Sequence, residues 1–216
     1  MSSFEKSGAR RLLSALTLSA LTITGLGACA PLMFGGAAVG VLVATDRRTS
    51  GAQLEDEGIE LRSASRIRES LGDRVHVNVA SYNRQVLLTG EVPTAQDRQQ
   101  VEQIVSRVEN VRATVNELSV LGISTLSQRS SDSLVTGRVK AAMVDARDLF
   151  ANAFKVVTER GTTYLMGRVT QREADRATEL ARGTYRVQKV VRIFEIISEE
   201  ELKRMLPQSA PEDAKK

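Results

Sequence analysis

The sequence predicts an α+β protein made of two similar small domains, each with the element order αββαβ. The main observation is a seven-residue stretch that occurs twice, as VLLTGEV at residues 86–92 and as TYLMGRV at residues 163–169. The segments ahead of these copies, residues 75–82 and 152–159, also align, and a helical segment precedes each of them. After each copy the composition becomes polar and an amphipathic run begins, which is typical of a helix. The repeat therefore predicts two copies of one folding unit.

Each repeated stretch is predicted to be the second strand of a hairpin. β-branched, aromatic and aliphatic residues lead up to Gly90 and Gly167, which is typical of a strand with at least one buried face. A Gly at this position indicates a bulge or a close approach of another backbone. The short polar turns Asn83-Arg84 and Arg160-Gly161 precede the two stretches, so we expect a hairpin in each domain.

The second helix and the last strand of each unit also correspond. Thr94 and Thr170 stand where helix N-caps are expected. The closing strands align once a one-residue slip is allowed, and three apolar positions then match: Val111, Val115 and Leu118 with Val187, Val191 and Phe194.

The helices that open the domains are predicted at Leu54–Leu71 and Ser133–Asp145. Apolar residues at helical intervals mark the side of each helix that faces the core. These residues are Ile59, Ile67 and Leu71 in the first helix, and Val135, Val139 and Met143 in the second.

The length of 216 residues allows one large or two small domains, and the repeat favours two domains of about 65 residues each. Domains that small are only marginally stable alone. The Gly/Ser/Thr-rich stretch between them indicates an exposed linker. The predicted organisation is a signal peptide at 1–28, a lipidated tether at 29–53, a first domain at 54–121, a linker at 122–131, a second domain at 132–198, and a C-terminal helix and tail at 199–216.

The first residues have the pattern of an export signal. Arg10 and Arg11 end a positive leader, and the apolar run Leu12–Leu26 is short and interrupted by Ser and Thr. Such a run is typical of a signal-peptide core rather than of a membrane span. We therefore expect the protein to be exported.

The end of this segment, Leu26-Gly27-Ala28-Cys29, is similar to a bacterial lipobox, which predicts acylation of Cys29. Cys29 is the chain's sole cysteine, so it has no disulfide partner within the chain. The alternative is an ordinary secretory signal with an accidental Cys. Ala30, rather than Asp, follows the Cys, and the resemblance to sorted lipoproteins that this residue carries implies the outer membrane. The apolar run from residue 30 to 44 is an alternative membrane span, but at about 15 residues it is short of the roughly 20 required, so we interpret it as a tether.

With these features together, the chain resembles the BON-domain family, and within it the dual-BON outer-membrane lipoproteins of the DolP type. The resemblance is carried by the approach segment Ala44-Thr45-Asp46-Arg47-Arg48 and, more specifically, by residues 155–174 of the second domain. It implies a small three-stranded mixed sheet packed on two helices in each domain. It also implies that the second domain binds anionic phospholipid, with a role in outer-membrane integrity and at division sites.

One departure from this family concerns the helix that opens the second domain. Leu134 stands where the family has an aromatic residue, and it lacks the amphipathic ring that suits a membrane interface. Leu134, Gly137, Arg138 and Ala141 fall on the side of the helix away from the core, so they are the predicted lipid-binding residues. The alternative is that Leu134 contacts the other domain and that Arg138 is a solvated charge.

Charge favours lipid as the partner of the second domain. Residues 58–121 contain eight Lys/Arg and eight Asp/Glu, whereas residues 132–198 contain twelve and eight. A basic residue near an anionic membrane contributes about 1 kcal/mol. Nucleic acid is the competing polyanion. It is disfavoured because the chain is predicted to be exported and lipid-anchored, has 4% aromatic residues and has no stacking motif.

The sequence gives little support for catalysis. His76 is the only histidine, and its place in a strand alternation predicts a half-buried strand residue. One His and one lipidated Cys do not make a zinc site or a Cys/His nucleophile. We therefore predict no enzyme activity, no cofactor and no metal site. Two functions remain open: phospholipid binding in envelope maintenance, and a periplasmic scaffold that recognises protein or peptidoglycan partners.

Overall fold

A computed structural model describes residues 46–205 of the chain. The first domain has the predicted αββαβ order, with its last strand in two pieces. Its elements are α1 Ser50–Leu71, β1 His76–Tyr82, β2 Gln85–Val92, α2 Ala95–Ser106, β3 Ala113–Asn116 and β4 Ser119–Val120, and a 3-10 turn at Gly72–Arg74 joins α1 to β1.

The second domain repeats this order with an unbroken last strand. Its elements are α3 Leu126–Asp145, β5 Phe154–Glu159, β6 Thr162–Val169, α4 Gln171–Gly183 and β7 Lys189–Ile196, with a 3-10 turn at Ala151–Ala153 before β5. The predicted C-terminal helix is present as α5, Glu199–Met205.

Each domain has a mixed sheet whose central strand is the repeated stretch. β2 pairs antiparallel with β1 and parallel with both β3 and β4, which together form one interrupted edge strand. β6 pairs antiparallel with β5 and parallel with β7. The family resemblance implied this three-stranded mixed sheet packed on helices, and the prediction is confirmed.

The hairpin turns form where the sequence predicted them. Asn83 and Arg84 have φ of 50° and 66°, and Arg160 and Gly161 have φ of 50° and 73°. Two successive positive φ values are typical of the tight turn whose twist matches that of the flanking strands.

A carboxylate on each opening helix holds the turn of its own domain, a feature that was not predicted from the sequence. Asp56 of α1 accepts hydrogen bonds from the backbone N–H groups of Asn83 and Arg84, each at 2.8 Å. Asp132 of α3 accepts the corresponding bonds from Arg160 and Gly161, at 2.8 and 3.0 Å. The two carboxylates are therefore equivalent positions of the repeat.

The glycines of the repeated stretch allow close backbone approach, as predicted. A Cβ on Gly90, whose φ is +112°, would lie 2.1 Å from the carbonyl oxygen of His76. A Cβ on Gly167 would lie 2.6 Å from the carbonyl oxygen of Ala153. Neither position can carry a side chain without moving the neighbouring strand or turn.

Each domain has its own core between its helices and one face of its sheet. In the first domain, the three α1 residues that the sequence predicted to face the core are all buried in it. They pack against apolar residues from one face of β2 and from the inner side of α2. The cluster consists of Ile59, Ile67, Leu71, Val86, Leu88, Val92, Val101, Val105 and Leu118.

The core of the second domain is built in the same way. The three α3 residues predicted to face the core are all buried in it, and Leu165 and Val169 of β6 occupy the places of Leu88 and Val92. The cluster consists of Val135, Val139, Met143, Leu149, Ala153, Phe154, Val156, Leu165, Val169, Ala174, Ala177 and Ala181.

A third apolar cluster joins the two sheets. Side chains alternate along a strand, so the residues between those of the helix-facing cores point to the opposite face of each sheet. On these faces Ala80, Tyr82 and Leu87 of the first domain pack with Tyr164, Met166 and Ile193 of the second. The two sheets therefore face each other, and the helices cover their outer sides.

Two helices begin earlier than the sequence predicted. α3 begins at Leu126, inside the stretch 122–131 that was predicted to be a linker, because Thr125 and Gln128 form a capping box there. α1 begins at Ser50 rather than Leu54, because the Thr49 side chain accepts a hydrogen bond from the N–H of Ala52. In both cases a threonine from the stretch that was predicted to be a linker or tether is the N-cap of the helix.

The predicted signal peptide, Cys29 and most of the predicted tether lie outside the described residues, as does the tail after Met205. Among residues 46–205, no helix combines the length and the apolar character needed to cross a membrane.

Candidate functional site

The outer face of α3 carries the predicted lipid-binding residues. Leu134, Gly137, Arg138 and Ala141 are all exposed, and the Leu134 side chain is among the exposed large apolar groups, at 61%. The opposite side of the helix is buried in the domain core. The structure therefore brings the four residues together on one accessible surface.

Two further apolar residues extend this surface, and neither was predicted from the sequence. Leu126 and Val144 are exposed and lie on the same side of α3 as Gly137, because a spacing of seven or eleven residues returns to nearly the same direction on a helix. Together with Leu134, Gly137 and Ala141 they form what we call the outer stripe of α3. A helix in water normally turns such a side toward the core.

An exposed aromatic residue lies beside this stripe. The guanidinium carbon of Arg138 is 5.7 Å from the centre of the Tyr185 ring, and that of Arg186 is 5.8 Å from it. Tyr185 is 72% exposed, and Arg186 donates a hydrogen bond to Ser131 of α3 at 2.8 Å. The turn after α4 thus places one aromatic ring and the guanidinium of Arg186 next to the outer stripe, where Arg138 of α3 supplies a second cation.

Tyr185 was missed because an aromatic residue was expected only within the opening helix. The sequence did contain one local indication. Tyr185 stands between Thr184 and Arg186 in a polar turn, where an aromatic side chain is not expected to be buried. Its proximity to Arg138 depends on packing between elements that are far apart in sequence.

A cleft of about 480 Å³ opens at the N-terminal half of α3. Arg160 and Arg186 are among its lining residues, as are Ser131 and Asp132. The Asp132 carboxylate is occupied by the hairpin turn, as described above. The cleft therefore offers two guanidinium groups and a hydroxyl to a small anionic group.

A second group of polar residues lies at the contact between the two sheets. His76 Nδ1 is 2.9 Å from Glu91 Oε2, and the ligand atoms of His76, Glu91 and Glu159 all lie within 4.8 Å of one another. Burial raises the pKa of Glu159, and the nearby charge of Glu91 adds to this effect. Burial would also raise the pKa of Glu91, but hydrogen bonds from His76 and Ser124 outweigh it and hold that pKa below its ordinary value.

This arrangement bears on two sequence predictions. His76 is partly buried in a strand, as expected. The prediction of no metal site rested on there being one His and one Cys, and on scattered carboxylates that no sequence pattern pairs with one another. His76, Glu91 and Glu159 are residues that could hold a metal ion.

Comparison with known proteins identifies the family. The BON domain model matches residues 56–122 and 131–197. The chain is 36% identical over 172 residues to the outer membrane lipoprotein DolP of Haemophilus influenzae, and the match covers 78% of this chain and 89% of that protein. It is 30% identical over 154 residues to the 21 kDa hemolysin of Actinobacillus pleuropneumoniae, covering 70% and 79% of the two chains.

Among solved structures, CdsD, a structural protein of the type III secretion system of Chlamydia trachomatis, aligns with 68% of this chain and 98% of its own, at 13% identity and a TM-score of 0.29. The matched residues 56–122 and 131–197 coincide with the two αββαβ units described above. The chain therefore belongs to the BON-domain family, as a DolP-type protein with two BON domains.

Proposed function

We propose that this protein is anchored by lipid to the periplasmic side of the outer membrane and that its second domain binds anionic phospholipid. In this role it supports outer-membrane integrity and envelope maintenance at division sites. It acts by binding rather than by catalysis, without a role for nucleic acid. The observation that carries the proposal is the outer stripe of α3, an exposed apolar surface with Arg138 and Tyr185 at its side.

The chemistry of this surface suits a membrane interface. Apolar side chains of the stripe can enter the acyl region, and guanidinium groups attract anionic headgroups. Tyr185 supplies the amphipathic ring that Leu134 lacks, and Tyr is favoured where one end of a side chain is apolar and the other is wet. The cleft beside α3, with Arg160 and Arg186, can accept a headgroup at the same surface.

The proposed location rests on the lipobox and on the relative from Haemophilus influenzae, whose name describes an outer membrane lipoprotein. An acylated Cys29 would hold the chain at the bilayer, since each buried methylene contributes about 0.8 kcal/mol. The second domain would then be close to the membrane surface that we propose it binds.

Vesicle flotation tests the lipid-binding role. The chain from residue 46 onward is suitable, because it lacks the acyl anchor and keeps both domains. An isolated second domain would expose Tyr164, Met166 and Ile193, which are buried against the first domain, and could bind vesicles through them. We expect the chain from residue 46 onward to float with phosphatidylglycerol vesicles and not with zwitterionic ones.

Substitutions on α3 should weaken this binding without unfolding the domain. Leu134→Glu places a charge where acyl contact is expected. Arg138→Glu removes one positive charge and adds a negative one, which should reduce binding by up to about thirtyfold. Leu134→Trp should strengthen binding. Leu61→Glu is the matched control, since Leu61 is also an exposed leucine, on the opening helix of the first domain.

The scaffold alternative predicts a different result. If the surface recognises protein or peptidoglycan, vesicle binding will be weak throughout and will not respond to these changes. Unchanged flotation of a folded Leu134→Glu, Arg138→Glu double variant would remove α3 as the lipid site. Raising the salt concentration should weaken the electrostatic part, because the Debye length shrinks to about 8 Å at physiological ionic strength.

A further inference from the structure

The group formed by His76, Glu91 and Glu159 has the composition of a metal site. It offers one imidazole nitrogen and two carboxylate groups, with the ligand atoms within 4.8 Å of one another. His76 and Glu91 come from the first domain and Glu159 from the second. We call it the interdomain cluster.

The fold brings these residues together through strand register. His76 of β1 is the direct partner of Glu91 of β2, so their side chains lie side by side on the same face of the sheet. The lack of a side chain at Gly90 lets β1 and β2 approach closely here, since a Cβ there would lie 2.1 Å from the carbonyl oxygen of His76. Glu159 ends β5 in the sheet that faces this one.

Burial makes the charges of the cluster costly. Glu91 is 0% exposed and Glu159 is 7% exposed. Ionised carboxylates at such positions need a compensating charge, and two of them close together repel each other. Asp132 adds a further negative charge in the neighbourhood of Glu159.

Within residues 46–205, little positive charge lies near the cluster. Arg160 Nη1 lies 3.4 Å from Glu91 Oε1, a long contact, and the Arg160 side chain is 38% exposed. Neutral donors complete the surroundings: Ser124 donates to Glu91 through its N–H and its hydroxyl, and Asn78 donates to Glu159 at 2.8 Å. These donors orient the two carboxylates without neutralising them.

We propose that the interdomain cluster binds a divalent transition-metal ion of the zinc class through His76 and one oxygen from each glutamate. Imidazole and carboxylate are both ligands that zinc accepts, and three protein ligands leave a position for water. Such an ion would link β1 and β2 of the first domain to β5 of the second. Binding would therefore stabilise the contact between the domains.

The single histidine makes a direct test possible. We would purify the full-length protein in detergent, treat it with EDTA, and titrate it with zinc chloride while recording the ring signals of His76 by 1H–13C NMR. Because the chain has one His, one set of ring signals reports this site alone. We expect these signals to shift and to reach saturation at one zinc per chain, with a higher Tm in the presence of zinc.

Variants then assign the ligands. Glu159→Gln keeps the shape of the side chain and should weaken zinc binding by about tenfold or more. His76→Asn removes the ring signals, so its weaker zinc binding should appear as a smaller rise of Tm with zinc. Glu60→Gln is the matched control, because Glu60 pairs with Lys155 across the same domain contact but lies outside the cluster. The control should bind zinc like the parent.

The proposal fails if zinc leaves the His76 ring signals of the parent protein unchanged, an outcome that requires no variant to fold. It also fails if folded Glu159→Gln binds zinc as tightly as Glu60→Gln. In either case the cluster would be a hydrogen-bonded contact between the domains and not a metal site.

Discussion

Arg47 and Glu173 form a two-pronged ion pair that ties the segment before α1 to the first turn of α4. Arg47 Nη1 lies 2.7 Å from Glu173 Oε2, and Nη2 lies 2.6 Å from Oε1. Both side chains are almost fully buried. Glu173 also accepts a hydrogen bond from the N–H of Thr170, so the same carboxylate completes the capping box of α4.

The next residue, Arg48, makes a corresponding contact with the first domain. Its guanidinium lies 4.3 Å from the centre of the Tyr82 ring and donates to Asp56 at 2.7 Å. Adjacent arginines of the approach segment thus bind different domains. These contacts give a structural reason for the Asp46-Arg47-Arg48 sequence that carried part of the family resemblance.

Removing one partner of the Arg47 pair should be costly. Glu173→Gln leaves a buried guanidinium without its counter-charge, and we expect a loss of about 3 kcal/mol in the free energy of unfolding. Urea unfolding of the chain from residue 46 onward measures this. Glu179→Gln, on the same helix but in an exposed pair with Arg176, should change stability by less than about 0.5 kcal/mol. Equal effects of the two changes would contradict the importance of burial.

The same contacts predict how stability depends on pH. Burial would raise the pKa of Asp56 and Glu173, but hydrogen bonds and their arginine partners outweigh it and hold both pKa values below the ordinary range. These carboxylates therefore stabilise the fold fully above their unfolded pKa of about 4, and this contribution is lost as pH falls through the lower folded values. Urea midpoints between pH 7 and pH 3 should fall more steeply for the parent than for Glu173→Gln. Parallel profiles would rule out this role for Glu173.

The repeat shows which parts of the structure the sequence could predict. The hairpin turns, the helix caps at Thr94 and Thr170 and the apolar sides of the opening helices depend on residues close together in the chain, and all were predicted. The partners of Tyr185 and Arg47 were missed, because these contacts join elements far apart in sequence. The pattern of residues within one segment does not indicate which side chains meet when the two sheets face each other.

The glycines of the repeat provide a third prediction. Gly90→Val and Gly167→Val force a side chain against a backbone carbonyl, and each should cost about 3 kcal/mol or more. Gly137→Ala is the control, since a Cβ there meets nothing within 4 Å and alanine favours the helix by about 1 kcal/mol. Thermal unfolding should show a lower Tm for the first two variants and a higher Tm for the control. If the Gly167→Val protein has the same Tm as the parent, the glycine of the repeated stretch is not required for the stability of the fold.

The predicted anchor can be tested in cells. Cys29→Ser removes the sole cysteine, so no other thiol can accept the lipid. We expect the variant to remain unacylated and to be lost from the outer-membrane fraction, as measured by membrane fractionation and metabolic labelling with palmitate. Cosedimentation of Cys29→Ser with the outer membrane to the same extent as the parent would show that the lipobox interpretation is wrong.

The last prediction concerns Tyr185, which lies beside Arg138 at the outer stripe of α3. Tyr185→Ala removes the ring that both Arg138 and Arg186 approach, and it should weaken flotation with phosphatidylglycerol vesicles by about fivefold, which corresponds to about 1 kcal/mol. Tyr185→Phe keeps the ring and should retain most of the binding. Because Tyr185 is exposed, neither change should alter the Tm. If Tyr185→Ala floats like the parent, the aromatic ring does not take part in membrane contact, and binding would have to rest on Leu134 and the arginines alone.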